Sequence, residues 1–150
     1  MSWELKDNEL TAADLLAFRS VAGWSPRSLA QAERAVAASL RTVTAVEDGR
    51  VVGIGRLIGD GAIHCYLQDI IVLPDARSQG VGRAIVERLL EFVRTATAPG
   101  DTITVALMAA PGREAFYRSL GFIDRPNDYQ GAGMELKITG DAAGGIHHQE

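Results

Sequence analysis

The run Asp69-Ile-Ile-Val-Leu-Pro-Asp-Ala-Arg77-Ser-Gln-Gly80-Val-Gly82-Arg83-Ala-Ile85 decides the fold: an apolar strand passes through a turn bearing two glycines straight into an amphipathic helix. Gly80 and Gly82 let the backbone approach an anion with no Cβ in the way, and the N–H groups of the first helical turn, which lack helical acceptors, point at the same spot. Arg77 and Arg83 add positive charge beside the turn, and Ser78, Gln79 and Val81 complete it. The stretch reads as a pyrophosphate cradle. Two better-known glycine motifs do not fit: a dinucleotide fingerprint needs a third glycine where Ile85 stands, and a P-loop needs Lys-Ser/Thr where the chain has Arg83-Ala84.

Outward from the cradle, the residues from Ala62 to Leu73 alternate, with Ile63, Cys65, Leu67 and Ile71 on one parity and His64, Tyr66, Gln68 and Ile70 on the other. The second parity is the polar one, and in a central strand it lines a cleft. Thr42 to Glu47 and Arg50 to Ile58 read as strands around Asp48-Gly49, a dipeptide suited to the positive φ angles of a hairpin turn. Thr11 to Val21, with Thr11 as cap, and Ser28 to Leu40 carry helical spacing, broken by Gly23-Trp24-Ser25-Pro26. Downstream, Val81, Ile85, Leu89 and Val93 form one apolar stripe. Thr102 to Met108 reads as a buried strand, Arg113 to Leu120 as a helix stopped by Gly121, and Met134 to Ile138 as a last strand. The expected fold is α/β (α+β): a single mixed, mostly antiparallel sheet flanked by helices, in one domain over residues 1–138. Residues 139–150 are small, polar and glycine-rich and are expected to form a loose tail carrying His147 and His148.

Arg77-x-x-Gly80-x-Gly82 resembles the coenzyme A signature of the GCN5-related N-acetyltransferases. A second element, Ala115-Phe116-Tyr117-Arg118-Ser119-Leu120-Gly121-Phe122, is similar to that family's last shared block, in which the tyrosine sits by the coenzyme sulfur. The resemblance covers residues 40 to 138. It implies acetyl-CoA as co-substrate, held by Arg77, Ser78, Gln79, Gly80, Val81, Gly82 and Arg83. The backbone of Ile70, Ile71 and Val72 would pair with the pantetheine arm like an added strand, and an N–H near Ile71 would serve as oxyanion hole. The family also implies a homodimer.

The chemistry needs a held donor, a deprotonated amine and a proton for the leaving thiolate. Tyr117 is the candidate general acid, because a phenol of pKa about 10 stays protonated at neutral pH and lies above the ~8.5 of a thiol; its alternative is a packing role beside Phe116 and Phe122. The base stays open. Glycine alignment places Gln68 where a similar polyamine acetyltransferase has a glutamate, and an amide cannot titrate. Asp69 matches the neighbouring aspartate of that enzyme and acts directly or through water, or else is a carboxylate bonded to backbone in a turn or bulge. His64 lies ~13 Å back along the strand from Gln68, too far for a direct role. Water on Gln68 and Tyr66, or an aromatic amine needing no strong base, completes the alternatives. Trp24, Tyr66 and Tyr129 are candidate acceptor contacts, Trp24 and Tyr129 being equally readable as packing.

Fifteen basic against nineteen acidic residues leave a net charge of −4, which disfavours nucleic acid and anionic membrane as partners. No run approaches the ~20 apolar residues of a membrane span, and the opening Met-Ser-Trp-Glu-Leu-Lys has no signal-like pattern, so a cytoplasmic protein is expected. Cys65, the single cysteine, reads as a buried reduced thiol, and no Cys/His cluster has metal-ligand spacing. The leading function is transfer of acetyl from acetyl-CoA to a small-molecule primary amine. The alternatives are a non-catalytic acyl-CoA-binding regulatory domain and a peptide or protein N-acetyltransferase.

Overall fold

The structure, a computed structural model, describes residues 2–141 and 146–149. The chain forms two compact units, Met1–Leu107 and Met108–Glu150. The sequence reading has one domain running on to residue 138.

The first unit is a five-stranded sheet with helices on both faces. Its strands are β1 (Trp3–Asp7), β2 (Arg41–Glu47), β3 (Arg50–Gly59), β4 (His64–Val72) and β5 (Thr104–Ala106), in the spatial order β1-β2-β3-β4-β5. All neighbours are antiparallel except β4 and β5, so the sheet is mixed and mostly antiparallel. The helices are α1 (Ala12–Val21), α2 (Leu29–Ala38) and α3 (Val81–Ala96). Thr11 and Ser28 cap α1 and α2, their hydroxyls accepting from the N–H groups of Asp14 and Gln31 over 3.1 Å each. At the β2–β3 turn Asp48 and Gly49 have φ 51° and 75°, the paired positive values that a two-residue hairpin demands.

β1 has no counterpart in the sequence reading. Its charged residues Glu4, Lys6 and Asp7 hide the alternation, because an edge strand carries solvated side chains. Asp7 anchors it, receiving Arg88 of α3 at 2.6 Å and Arg41 of β2 at 3.5 Å. The hydrogen bond from Arg88 holds the Asp7 carboxyl below the usual carboxylate range.

The predicted stripe of α3 is buried in full: Val81, Ile85, Leu89 and Val93 are each no more than 5% exposed. The helix lies close on β3 because Gly55 has no side chain. A Cβ there would fall 2.5 Å from Ile85 Cγ2 and 2.9 Å from Ile70 Cδ1. On the opposite face, Leu15 and Phe18 of α1 and Ala32 of α2 pack with Ile54 and Ile71.

β4 contains an extra residue. Ile54 pairs with Ile71 but Arg56 pairs with Gln68, so Asp69 and Ile70 together face Gly55, and Asp69 takes φ 54°. This bulge corrects the uninterrupted alternation expected for the strand. Up to Gln68 the pattern runs as predicted, with Cys65 and Leu67 on the α3 face and Tyr66 and Gln68 on the α1/α2 face. Beyond it the faces swap: Ile70 turns to α3, while Asp69 and Ile71 turn to α1 and α2.

The second unit contains α4 (Glu114–Ser119), β6 (Lys137–Gly140) and β7 (Ile146–Gln149). β6 starts three residues later than Met134, where the pairing with β7 begins at Lys137↔Gln149. Within the stretch expected as a loose tail, Thr139 and Gly140 pair with His147 and Ile146 in the β6–β7 ladder. Residues 142–145 and 150 of that tail lie outside the described residues, as does Met1.

Candidate active site

The residues read as a cradle lie at the junction of β4 and α3. After β4, Pro74–Ala76 make one turn of 3₁₀ helix, and the chain enters α3 through Ser78 (φ 67°) and Gly80 (φ 80°). Gly80 is the N-cap and offers no side-chain acceptor; the helical ladder opens with the Ala84 N–H donating to Gly80 O over 3.0 Å. The N–H groups of Val81, Gly82 and Arg83 precede that first rung, and no acidic residue sits in the first turn to neutralise the positive end of the helix. A Cβ on Gly80 would meet nothing within 4 Å, so it is the left-handed backbone, not crowding, that calls for glycine there. Arg77 is exposed and donates from Nε to Val72 O at 3.4 Å. Arg83 is also exposed, with Glu87 at 3.1 Å one turn on. Ser78 and Gln79 are exposed. These features fit a coenzyme pyrophosphate: the positive end of a helix, open space above the turn and two arginines at its rim.

Next to the cradle, β4 has an edge that β5 leaves uncovered. β5 pairs only with His64, Cys65 and Tyr66, so among the described residues no strand lies on that side of Leu67 to Val72. Ile70, Ile71 and Val72 thus stand on a strand edge open to a backbone-like ligand such as pantetheine.

On the α1/α2 face the structure gathers several of the remaining candidates. Tyr66 and Gln68 are half-buried, whereas His64 is exposed at the strand start. Asp69, read as a base acting directly or through water, lies buried and paired. Its side chain is fully buried, and its two oxygens accept from Arg19 Nη1 at 2.9 Å and Arg56 Nε at 2.8 Å. Each oxygen already accepts from a guanidinium, and the side chain has no exposed surface on which to meet an incoming amine. It does sit in a bulge, but bonded to side chains and not to backbone. Trp24 is half-buried against the α1 cluster, and the Arg19 guanidinium lies 5.2 Å from its ring centroid. Arg19 and Arg56 escaped the sequence reading. The available signal was a charge in the middle of each of two apolar strands, Arg56 in one and Asp69 in the next, with opposite signs.

Tyr117 and Tyr129 belong to the second unit. Tyr117 is half-buried on α4, edge-on to Phe116 (centroids 5.0 Å apart) and to Phe122 (5.9 Å). Burial pushes its phenol above the ordinary value, with Arg113 pulling weakly the other way, so it keeps its proton through the neutral range. Gly121 closes the helix at φ 99°, its N–H donating to Arg118 O over 3.0 Å. Tyr129 is 95% exposed in a loop where Asn127 Oδ1 accepts from its N–H. Cys65 is 1% exposed and burial pushes its thiol up, as expected of an inert cysteine. Among the described residues no three His, Cys, Asp or Glu side chains converge as a metal site, and no helix is long and apolar enough to cross a membrane.

The chain is similar to known proteins in sequence and in fold. A probable acetyltransferase of unknown function from meticillin-resistant Staphylococcus aureus, SA2161, superposes with a TM-score of 0.80 at 30% identity, covering 90% of this chain and 98% of that one. The uncharacterized N-acetyltransferase ycf52 of Porphyra purpurea is 28% identical over 113 residues, 73% of this chain. Serotonin N-acetyltransferase 2 of Oryza sativa, named as chloroplastic, is 37% identical over 84 residues, 55% of this chain. The chain spans 63% of the length of the first of these two relatives and 40% of the second. Residues 38–124, more than half of the chain and running across the boundary between its two units, match the model of the acetyltransferase (GNAT) domain family, and the chain belongs to that family.

Proposed function

We propose that the protein transfers the acetyl group of acetyl-CoA to a primary amine of a small molecule by direct attack. The observation that carries this reading is the junction of β4 and α3, where a strand edge that β5 leaves uncovered runs directly into a helix N-terminus with a left-handed glycine cap and no acidic residue in its first turn. In this reading the backbone at Ser78 to Arg83 binds the pyrophosphate, the edge from Ile70 to Val72 aligns the pantetheine arm, and an N–H near Ile71 polarises the thioester carbonyl. The amine nitrogen attacks that carbonyl, the C–S bond breaks, and Tyr117 gives its proton to the departing thiolate.

With Asp69 engaged by two arginines, water held at Gln68 and Tyr66 is the exit for the amine proton. The small-molecule acceptor rests on the aromatic and amide side chains on the α1/α2 face, Trp24, Tyr66 and Gln68, which are half-buried. The test is thiol release from acetyl-CoA against a panel of arylalkylamines, polyamines, amino acids and a lysine-bearing peptide. Turnover with a small amine supports the reading. Turnover with the peptide alone moves the acceptor to proteins, and binding without release with every acceptor leaves a regulatory acyl-CoA domain.

A further inference from the structure

We propose that Arg19, Asp69 and Arg56 form a positioning clamp for the transfer step: they hold the β4 bulge in the shape that presents the Ile70–Ile71 backbone, and tie that bulge to α1 and α2. The inference rests on the transferase reading above. Asp69 is a non-glycine residue at φ 54°, a conformation that its neighbours must impose. What imposes it is visible, since each carboxylate oxygen is taken by an arginine from a different element, Arg19 of α1 and Arg56 of β3. Arg56 then reaches α2, donating from Nη1 to Ala35 O at 3.1 Å and to Ser39 Oγ at 3.0 Å. Arg19 is seated against Trp24, just beyond the end of α1.

The cluster is poorly built as a stabilising device. Two guanidiniums share one carboxylate, and Arg19 Nε is buried without an acceptor among the described residues. Desolvating such a set returns little stability compared with apolar packing. Its return is geometric, because it fixes a strained backbone immediately before the residues that meet the thioester. An N–H displaced by about 1 Å from the developing oxyanion costs on the order of 100-fold in rate. None of the three side chains takes up the amine proton in this account, so they position without being catalytic.

The test compares wild type with Arg19→Met, which leaves a balanced Arg56–Asp69 pair, and with Arg19→Lys, which keeps the charge but loses the fork. Amide hydrogen exchange at residues 69–72, coenzyme A affinity, kcat and KM are read for each. The clamp predicts exchange at 69–72 faster by about tenfold or more in Arg19→Met. It also predicts kcat lower by ~10–100-fold with coenzyme A affinity within about twofold of wild type, and partial recovery in Arg19→Lys. A folded Arg19→Met with wild-type exchange and kcat overturns the clamp and leaves the transferase standing. If Arg19→Met does not fold, Arg19→Lys decides, and wild-type kcat and exchange in that variant overturn the clamp. Failure of wild type to bind acetyl-CoA overturns the transferase reading and the clamp together.

Discussion

Arg56 donates from Nε to Asp69 Oδ2 over 2.8 Å across the one place where β3 and β4 lose register. The pair therefore sits on the irregularity itself, and Arg19 completes it from the helix above. Neutralising Asp69 leaves the buried Arg56 and the part-buried Arg19 without a counter-charge. Asp69→Asn is expected to lower unfolding free energy by about 3–5 kcal/mol, measured by urea denaturation, and a loss under about 1 kcal/mol contradicts this description of the buried triad.

Asp60 organises the β3–β4 turn, one carboxylate oxygen accepting from the N–H groups of Ala62, Ile63 and His64 at 2.8, 2.8 and 3.0 Å. These bonds lower its pKa to about 2, with the His64 N–H contributing most. The folded value lies below the unfolded one of about 3.9, so the stabilisation is present above about pH 4 and is lost as pH falls toward 2. Wild type and Asp60→Ala should differ in urea midpoint at pH 6 and converge near pH 2. A difference that grows on acidification contradicts the assignment.

Tyr117→Phe keeps the edge contacts with Phe116 and Phe122 and removes only the hydroxyl. The expected result is a kcat lower by ~100-fold with acetyl-CoA affinity within about twofold of wild type. Because the phenol is held above its ordinary value, the wild-type rate should show no loss from its ionisation below about pH 10. Full activity in the variant returns Tyr117 to a packing role.

At Gly80 the space beyond the Cα is open and only the backbone angle resists a side chain. Gly80→Ala is expected to fold, with about 1–2 kcal/mol of local strain, and to bind acetyl-CoA ~10-fold more weakly as the cap relaxes away from positive φ. Thermal unfolding and calorimetry measure the two effects separately. Unchanged affinity places the coenzyme elsewhere.

Much of this was legible in the chain. The α3 stripe, the Asp48-Gly49 turn, the cap at Thr11 and the glycine turn into α3 all depend on local rules, spacing or backbone angle, which one sequence carries. The bulge at Asp69 was not, because the extra residue shows only as a register difference from β3, and alternation counted along one strand continues through it. Arg19 and Asp69 lie fifty residues apart and meet only through tertiary packing. β1 escaped because its charges, including Asp7 with its partners Arg41 and Arg88, read as solvated surface. Of the candidate site, the turn before α3 was readable because it is set by backbone angles at Ser78 and Gly80. The role of Asp69 was not, because it is set by its partners.

Calorimetric titration of wild-type protein with acetyl-CoA, repeated with Gly80→Ala, decides whether the β4–α3 junction binds the coenzyme. One-to-one binding in wild type, weakened by about tenfold in the variant, is the predicted result. No heat of binding in wild type, or equal affinity in both proteins, contradicts it.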